Sequence, residues 1–280
     1  NAPVSRSVRS GSVGAKVHRF HESSRAYFVR VKKGLKTVLK QLIRMRIPVI
    51  TGWIDRRILV NYRVDPEVMK TYLPEPFEPQ LVDGYGVAGV CLIRLRDVRP
   101  KALPCTPGIG SENAAHRFAV TWNEDGSERC GVYIPRRDTD SVLNHLAGGR
   151  VFPGVHHLAD FEIDENDPRY SVSLTSRDGD THMSIAGWVT DSLPGGSIFA
   201  DVDSASAFFE KGSLGYSPAG KACCFDGLEL RTLNWSVQPL EVEKAEASYF
   251  RTFPEGSIEL DHALLMRDIE HEWHDAGSMA

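Results

Sequence analysis

Hydrophobic and polar residues alternate with a period of two through much of the chain after Pro48, and this pattern predicts a protein built mainly from β-strands. The clearest case is residues 86–98, which follow the turn pair Asp83-Gly84 and so predict a hairpin with residues 81–82. Further strands are expected at residues 58–64, 114–122, 131–135, 155–163, 170–176, 183–189, 222–225, 228–233 and 237–242.

Helical patterns are fewer. Asp65-Pro66-Glu67 predicts a short helix ending near Leu73, with Asp65 as N-cap and Pro66 at the first helical position. Other helices are expected at residues 141–147, 204–211 and, near the C-terminus, 261–274. Because strands dominate and their connections are short, we predict a mainly β (α+β) fold, a curved antiparallel barrel with a few peripheral helices.

The segment before Pro48 has a different pattern. Within residues 25–47, Phe28, Val31 and Leu35 recur at helical spacing among lysines and arginines, which predicts a basic amphipathic helix. Such a helix can pack its apolar stripe on the rest of the chain, lie on an anionic membrane surface or join a partner. We therefore divide the chain into a basic arm, residues 1–47, and a single domain, residues 48–280.

Charge follows the same division. Residues 1–46 contain twelve Lys and Arg and one Glu, a net charge of +11, whereas the remaining residues carry −15, which leaves −4 in total. An acidic domain repels phosphate, and no nucleic-acid-reading motif is present, so we do not expect a nucleic-acid partner. Membrane-surface contact by residues 25–47 stays open.

Composition places the chain among ordinary globular proteins, with 41% hydrophobic and 25% charged residues. No apolar stretch reaches the roughly 18–20 residues that span a bilayer, and no signal-peptide pattern is present. Five cysteines, an odd number without a CxxC pair, favour reduced thiols and a cytoplasmic location. His271 and His274 are three residues apart, unlike the four of a zincin motif, so we expect no metal and no cofactor.

The candidate chemistry lies between residues 108 and 157. Alternation places Glu112, His116 and Phe118 on one face of a strand, and Asn113 and Arg117 on the other. An acid and an imidazole on one face are suited to proton transfer near neutral pH.

The order of motifs in this region resembles the acetoacetate decarboxylase-like superfamily, and further stretches resemble its YqjF-like branch, whose function is unknown. The similarity spans roughly residues 51–250. The motifs that carry it are the glutamate-bearing strand, the strand with Tyr133 and Pro135, a helix, Gly149-Arg150, Gly154, His156-His157, Val64-Asp65-Pro66-Glu67, Asp226-Gly227-Leu228-Glu229-Leu230-Arg231 and Trp235-Ser236-Val237-Gln238-Pro239-Leu240.

The resemblance implies a cone-like antiparallel barrel with a central cavity. It also implies a homo-oligomer, because barrels of this family often assemble. It also implies a change of chemistry, because His157 and Leu158 stand where acetoacetate decarboxylases have a pair of lysines, one of which forms an imine with the substrate. Imidazole does not form that imine, so classical acetoacetate decarboxylase activity is not expected. The strand also departs from the Glu-x-Asn-x-Arg pattern of the YqjF-like branch, since it reads Glu112, Ala114 and His116.

The resemblance assigns roles to individual residues. Glu112 matches the cavity glutamate, and Arg150 matches an arginine suited to hold a substrate carboxylate. We predict Glu112, His157 and Arg150 as catalytic residues. His116, Tyr133 and His156 are the predicted substrate-binding residues.

These assignments favour an enzyme of lyase, isomerase or hydrolase type that binds a small anionic carbonyl or carboxylate compound and uses acid-base chemistry. A non-catalytic ligand-binding or sensing barrel is the first alternative, since a fold does not determine function. A peripheral membrane protein that attaches through its basic helix is the second alternative.

Overall fold

The computed structural model describes residues 48–149, 152–219 and 224–279. The basic helix predicted at residues 25–47 lies outside the described residues. The helices that are described are α1 (Pro66–Lys70), α2 (Val142–Ala147), α3 (Val202–Lys211) and a 3-10 helix (Ser248–Thr252). The strands are β1 (Ile50–Val64), β2 (Glu78–Pro79), β3 (Leu81–Val82), β4 (Tyr85–Pro100), β5 (Ile109–Glu124), β6 (Ser127–Thr139), β7 (His156–Asn166), β8 (Arg169–Ser176), β9 (His182–Val189), β10 (Leu214–Pro218), β11 (Phe225–Thr232), β12 (Gln238–Ala247) and β13 (Ile258–Met279).

These strands form one sheet that closes on itself twice. A large ring runs β1-β4-β5-β6-β7-β8-β9-β12-β13 and returns to β1. A small ring runs β1-β4-β5-β6-β10-β11-β13 and also returns to β1. The two rings therefore share a wall of five strands, β13-β1-β4-β5-β6. They separate at β6, which pairs with both β7 and β10 along one edge, and at β13, which pairs with both β12 and β11 along one edge.

The mainly β fold is confirmed, and most strand pairs are antiparallel. The pairings of β6 with β7 and with β10 are parallel, so the sheet is mixed and neither ring is a regular barrel.

Two local predictions about the chain between β1 and β4 are also confirmed. The Asp65 side chain caps α1 by accepting the Glu67 N–H at 2.9 Å, and Asp83 and Gly84 have the positive φ angles that a two-residue hairpin turn requires.

The predicted C-terminal helix at residues 261–274 is wrong, because this segment belongs to β13, a strand of 22 residues. Residues 261–266 are all buried, so the period-two alternation of a half-exposed strand is missing. The cause is the position of β13 in the shared wall, where one face borders the large ring and the other borders the small ring. Leu265 packs in the large-ring core, whereas Leu264 and Met266 pack on the opposite side.

Apolar side chains fill the large ring. Ile58, Leu92 and Phe118 from the shared wall pack in one cluster with Val172 and Ile185, which belong to strands of the large ring alone. Of the helices in the described ranges, none is long and apolar enough to cross a membrane.

Candidate functional site

The small ring encloses a cavity with a volume of about 140 Å³. All seven strands of the ring contribute to its lining. Most of the lining is apolar, as expected for a small-molecule pocket. The residues on which the description below depends are Arg57, Cys91, Ile93, Leu95, Val98, Asn113, Arg117, Arg137, His156, Leu228, Leu230 and Trp273.

Three arginines line this cavity without a carboxylate partner in the described part of the chain. Arg57 Nε donates to Cys91 Sγ at 3.2 Å, and Arg57 Nη1 lies 3.8 Å from the sulfur of Met266. Arg137 Nε donates to the hydroxyl of Ser217 at 3.3 Å. Sulfur and hydroxyl groups accept hydrogen bonds but carry no neutralising charge. Within the described ranges, the positive charges of Arg57, Arg117 and Arg137 therefore have no carboxylate counter-ion.

Arg117 is the most enclosed of the three, with 5% of its surface exposed. Its Nη2 donates to Asn61 Oδ1 at 2.5 Å, and its guanidinium lies 4.9 Å from the ring centroid of Phe209 on α3. Its Nε has no hydrogen-bond partner among the described residues. Because it also lines the cavity, Arg117 combines an unused buried donor with a positive charge beside an empty volume.

Burial lowers the pKa of both Arg117 and Arg137 to about 10. The nearby Arg57 lowers the pKa of Arg117 further, while Cys91 opposes the decrease in both arginines. A group with a pKa of about 10 is still protonated at neutral pH. Each arginine is therefore charged but poorly solvated, and a bound anion would stabilise it.

Strand register brings the arginines to one part of the cavity. Cys91 on β4 is opposite Ala115 on β5, which in turn is opposite Arg137 on β6. Arg57 on β1 is opposite Ile93, two residues further along β4. The sulfur of Cys91 thus lies among the arginines, whereas Leu95, Val98, Leu230 and Trp273 form an apolar region further along the strands.

A chain of buried hydrogen bonds connects Arg117 to Asn61, His262 and Asp261. Asn61 accepts from Arg117 through Oδ1, and its Nδ2 lies 3.0 Å from His262 Nε2. His262 Nδ1 lies 2.5 Å from Asp261 Oδ2. Donors and acceptors all match when His262 is neutral with its proton on Nδ1, because Nε2 then accepts from the Asn61 amide. The carboxylate of Asp261 also accepts from the Ile198 N–H at 2.9 Å. This chain of hydrogen bonds, which we call the relay, therefore connects the cavity to the loop before α3.

Glu112 lies on the opposite face of β5 from the cavity and takes part in a cluster of ion pairs with Arg56, Arg94 and Glu165. Arg56 Nη2 donates to Glu112 Oε2 at 2.5 Å, and Arg94 Nε donates to Oε1. Glu165 accepts from the same two arginines at 2.7 and 2.8 Å. Asp55 Oδ2 also lies 3.6 Å from Arg94 Nη1. The cluster connects β7 to strands β1, β4 and β5, which are not its neighbours in the sheet.

His116 is fully buried on the same face as Glu112, as alternation predicts. Its Nδ1 lies 3.8 Å from Asp138 Oδ2, and its ring centroid lies 4.5 Å from that of Tyr249. Neither ring nitrogen has a hydrogen-bond partner among the described residues. Burial, with a smaller contribution from Arg136, lowers the pKa of His116 to about 3, so the ring is neutral at pH 7.

Replacing His116 with leucine is expected to reduce the acid sensitivity of stability. The pKa rises to an ordinary value near 6.5 on unfolding, so the unfolded chain binds more protons than the native state and stability falls as pH drops from about 6.5 towards 3. Without His116, the slope of unfolding free energy against pH should decrease by up to about 1.4 kcal/mol per pH unit. Urea unfolding of both proteins between about pH 4.5 and 7 measures this slope, and equal slopes would contradict the prediction.

The other predicted residues do not share one environment. His156 lines the cavity, where burial and the nearby Arg137 lower its pKa to about 3. Tyr133 packs in the large core against Phe77, 5.5 Å away between ring centroids. His157 Nδ1 lies 2.7 Å from Asp178 Oδ2.

Arg150 lies outside the described residues. The structure therefore brings His156 to the cavity but places Glu112 in the cluster with Arg56 and Arg94, away from His157 and its partner Asp178. The joint catalytic role of Glu112, His157 and Arg150 stays a prediction.

The sequence analysis placed Arg117 and Asn113 on a common face but assigned the chemistry to the other one. A usable signal was present: Arg57 and Arg117 are cations next to uninterrupted apolar runs, at residues 58–60 and 118–120. A charged residue there has few ways to reach water and is a candidate for a functional site.

Comparison with known proteins gives a family and a fold. Residues 52–257 match the DUF2071 family, described as an uncharacterized conserved protein (COG2071). Comparison with curated proteins found no match. Among solved structures, an acetoacetate decarboxylase-like enzyme from Sphingomonas wittichii RW1 is 13% identical, with a TM-score of 0.55 over 84% of this chain and 93% of that chain.

Acetoacetate decarboxylase from Legionella pneumophila subsp. pneumophila str. Philadelphia 1 is also 13% identical, with a TM-score of 0.56 over 83% of this chain and 87% of that chain. Identities this low show the fold alone, and they confirm the acetoacetate decarboxylase-like fold that the motifs predict. Because the family match covers well over half of its residues, this chain belongs to the DUF2071 family.

Proposed function

We propose that this protein binds a small carboxylate compound in the cavity of the small ring. The observation that carries this proposal is the convergence of Arg57, Arg117 and Arg137 on one cavity without a carboxylate partner among the described residues. Burying unpaired charge is costly, and binding sites commonly retain such a cost because the ligand offsets it. The fold relatives, which include enzymes named for acetoacetate, support a small-molecule-binding, enzyme-like protein.

Size and shape favour a small carboxylate among anions. The cavity volume of about 140 Å³ is close to that of an engineered cavity of roughly 150 Å³ that holds one benzene molecule. A guanidinium presents two parallel N–H donors that match the two oxygens of a carboxylate. The apolar region around Leu95, Leu230 and Trp273 would cover the rest of the ligand.

Calorimetric titration with butyrate tests the proposal. The Arg137→Met variant is expected to bind butyrate at least about tenfold more weakly, because a hydrogen bond to a charged group contributes roughly 1.5–3 kcal/mol. The same variant should be more stable than the natural protein without ligand, by about 1–2 kcal/mol, because it removes a poorly solvated charge. Thermal unfolding measures the second effect.

Two matched controls sharpen the test. Butyramide has nearly the shape of butyrate without its charge, and it should not bind measurably. Arg129→Gln removes an exposed arginine that pairs with Glu124 outside the cavity, so it should leave butyrate affinity unchanged. The proposal is wrong if the natural protein does not bind butyrate, or if Arg137→Met binds it equally well.

A further inference from the structure

We infer that Cys91 is a nucleophilic thiol aimed at the ligand of this cavity, and that the site accepts carboxylates carrying an electrophilic carbon. This inference rests on the proposed function, since the arginines must first hold the carboxylate. It adds a covalent step that neither the family nor the fold relatives assign.

The position of the sulfur is the first argument. Cys91 lines the cavity on β4, is 6% exposed, and accepts the Arg57 N–H at 3.2 Å. In the strand register Cys91 is opposite Ala115, which is opposite Arg137. A carboxylate that contacts these arginines is therefore placed beside the sulfur, and such positioning is a large part of what makes a reaction between two groups fast.

Arg117 supplies a second, independent observation. This side chain is 95% buried, lines the same cavity, and has an Nε donor without a partner among the described residues. An unused donor in the same cavity as the sulfur points to a ligand acceptor there. Cys105 differs in every respect, since it is exposed and does not line the cavity, and so it serves as an internal reference.

The chemistry needs no further reactant. With a bound 2-oxo carboxylate, the sulfur adds to the carbonyl carbon and forms an S–C bond, while the carbonyl π electron pair moves to oxygen. That oxygen takes up the proton that the thiol gives up, so the product is a thiohemiketal. Nearby guanidinium groups stabilise the negative charge that develops on this oxygen.

Competing alkylation by iodoacetate and iodoacetamide tests the inference. Iodoacetate carries a carboxylate and iodoacetamide does not, but both react with a thiol in the same way: an S–C bond forms, iodide leaves and a proton is released. Peptide mass spectrometry follows Cys91 and Cys105 in the same sample. The ratio of iodoacetate to iodoacetamide rates should be at least about tenfold higher at Cys91 than at Cys105, and butyrate should slow the reaction at Cys91 alone.

Two further results decide the outcome. In Arg137→Met, the rate ratio at Cys91 should fall towards that at Cys105. If Cys91 stays unmodified, or shows the same ratio as Cys105, while butyrate still binds, the inference about the thiol is wrong and the proposed function stands. If butyrate does not bind, the proposed function fails independently of any alkylation result.

Discussion

Replacing Glu112 with glutamine is expected to lower the free energy of unfolding by about 3–5 kcal/mol, the largest effect anticipated for this protein. Glu112 is 7% exposed and accepts from Arg56, which is 2% exposed, and from Arg94. The neutral amide leaves the two guanidinium groups with Glu165 and, for Arg94 alone, Asp55 at 3.6 Å to balance them. A buried cation that loses its partner retains its desolvation cost, and this is the source of the destabilisation.

Urea unfolding at pH 7 measures this change. Glu124→Gln is the matched control, because Glu124 forms an exposed ion pair with Arg129 and its loss should cost less than about 1 kcal/mol. Butyrate affinity of the folded Glu112→Gln protein should stay unchanged, since Glu112 faces away from the cavity. A stability loss below about 1 kcal/mol would contradict the prediction, and a loss of butyrate binding would support a role for Glu112 in the ligand site.

Asn61→Leu is expected to have the second largest effect, a loss of about 2–4 kcal/mol in stability together with weaker butyrate binding. Asn61 is fully buried and bonds to Arg117 on one side and to His262 on the other. Leucine leaves one buried donor of Arg117 and the buried acceptor nitrogen of His262 without partners. Arg117 also loses the contact that fixes its direction, so carboxylate affinity should fall at least about fivefold.

A second variant separates positioning from stability. Asn61→Asp places a carboxylate against Arg117 and His262, so stability should recover relative to Asn61→Leu. Butyrate should still bind weakly, because the new carboxylate already neutralises the charge of Arg117. Asn166→Leu, at an exposed position on β7, is the control and should change neither property. Normal butyrate affinity in both Asn61 variants would show that the relay does not position Arg117.

Sequence patterns gave correct predictions where a few neighbouring residues fix the backbone conformation, or where alternation separates a buried face of a strand from a less buried one. The capping side chain of Asp65 and the Asp83-Gly84 turn act within a few residues, so their signals do not depend on the rest of the fold. Buried and less buried residues alternate along β8 and β9, which belong to the large ring alone. The order of the sequence motifs was sufficient to predict the acetoacetate decarboxylase-like fold.

The candidate site was only partly accessible to the same reasoning. Alternation separated the two faces of β5 correctly, with Glu112 and His116 on one and Arg117 on the other. Both faces are buried in the shared wall, and alternation does not say which buried face borders the cavity of the small ring. Sequence also does not show that Glu112 is ion-paired, because its partners Arg56 and Arg94 come from other strands.

The sequence by itself thus determined the strand-rich fold, the local turn and cap, and the family relationship. Only the tertiary structure decided that the sheet divides at β6 and β13 into two rings, that the C-terminal segment is a strand, and that the cavity lies in the small ring with its arginines. The physical reason is that ring closure and charge pairing depend on contacts between residues far apart in the chain. In a wall buried on both sides, hydrophobicity no longer marks which face is which.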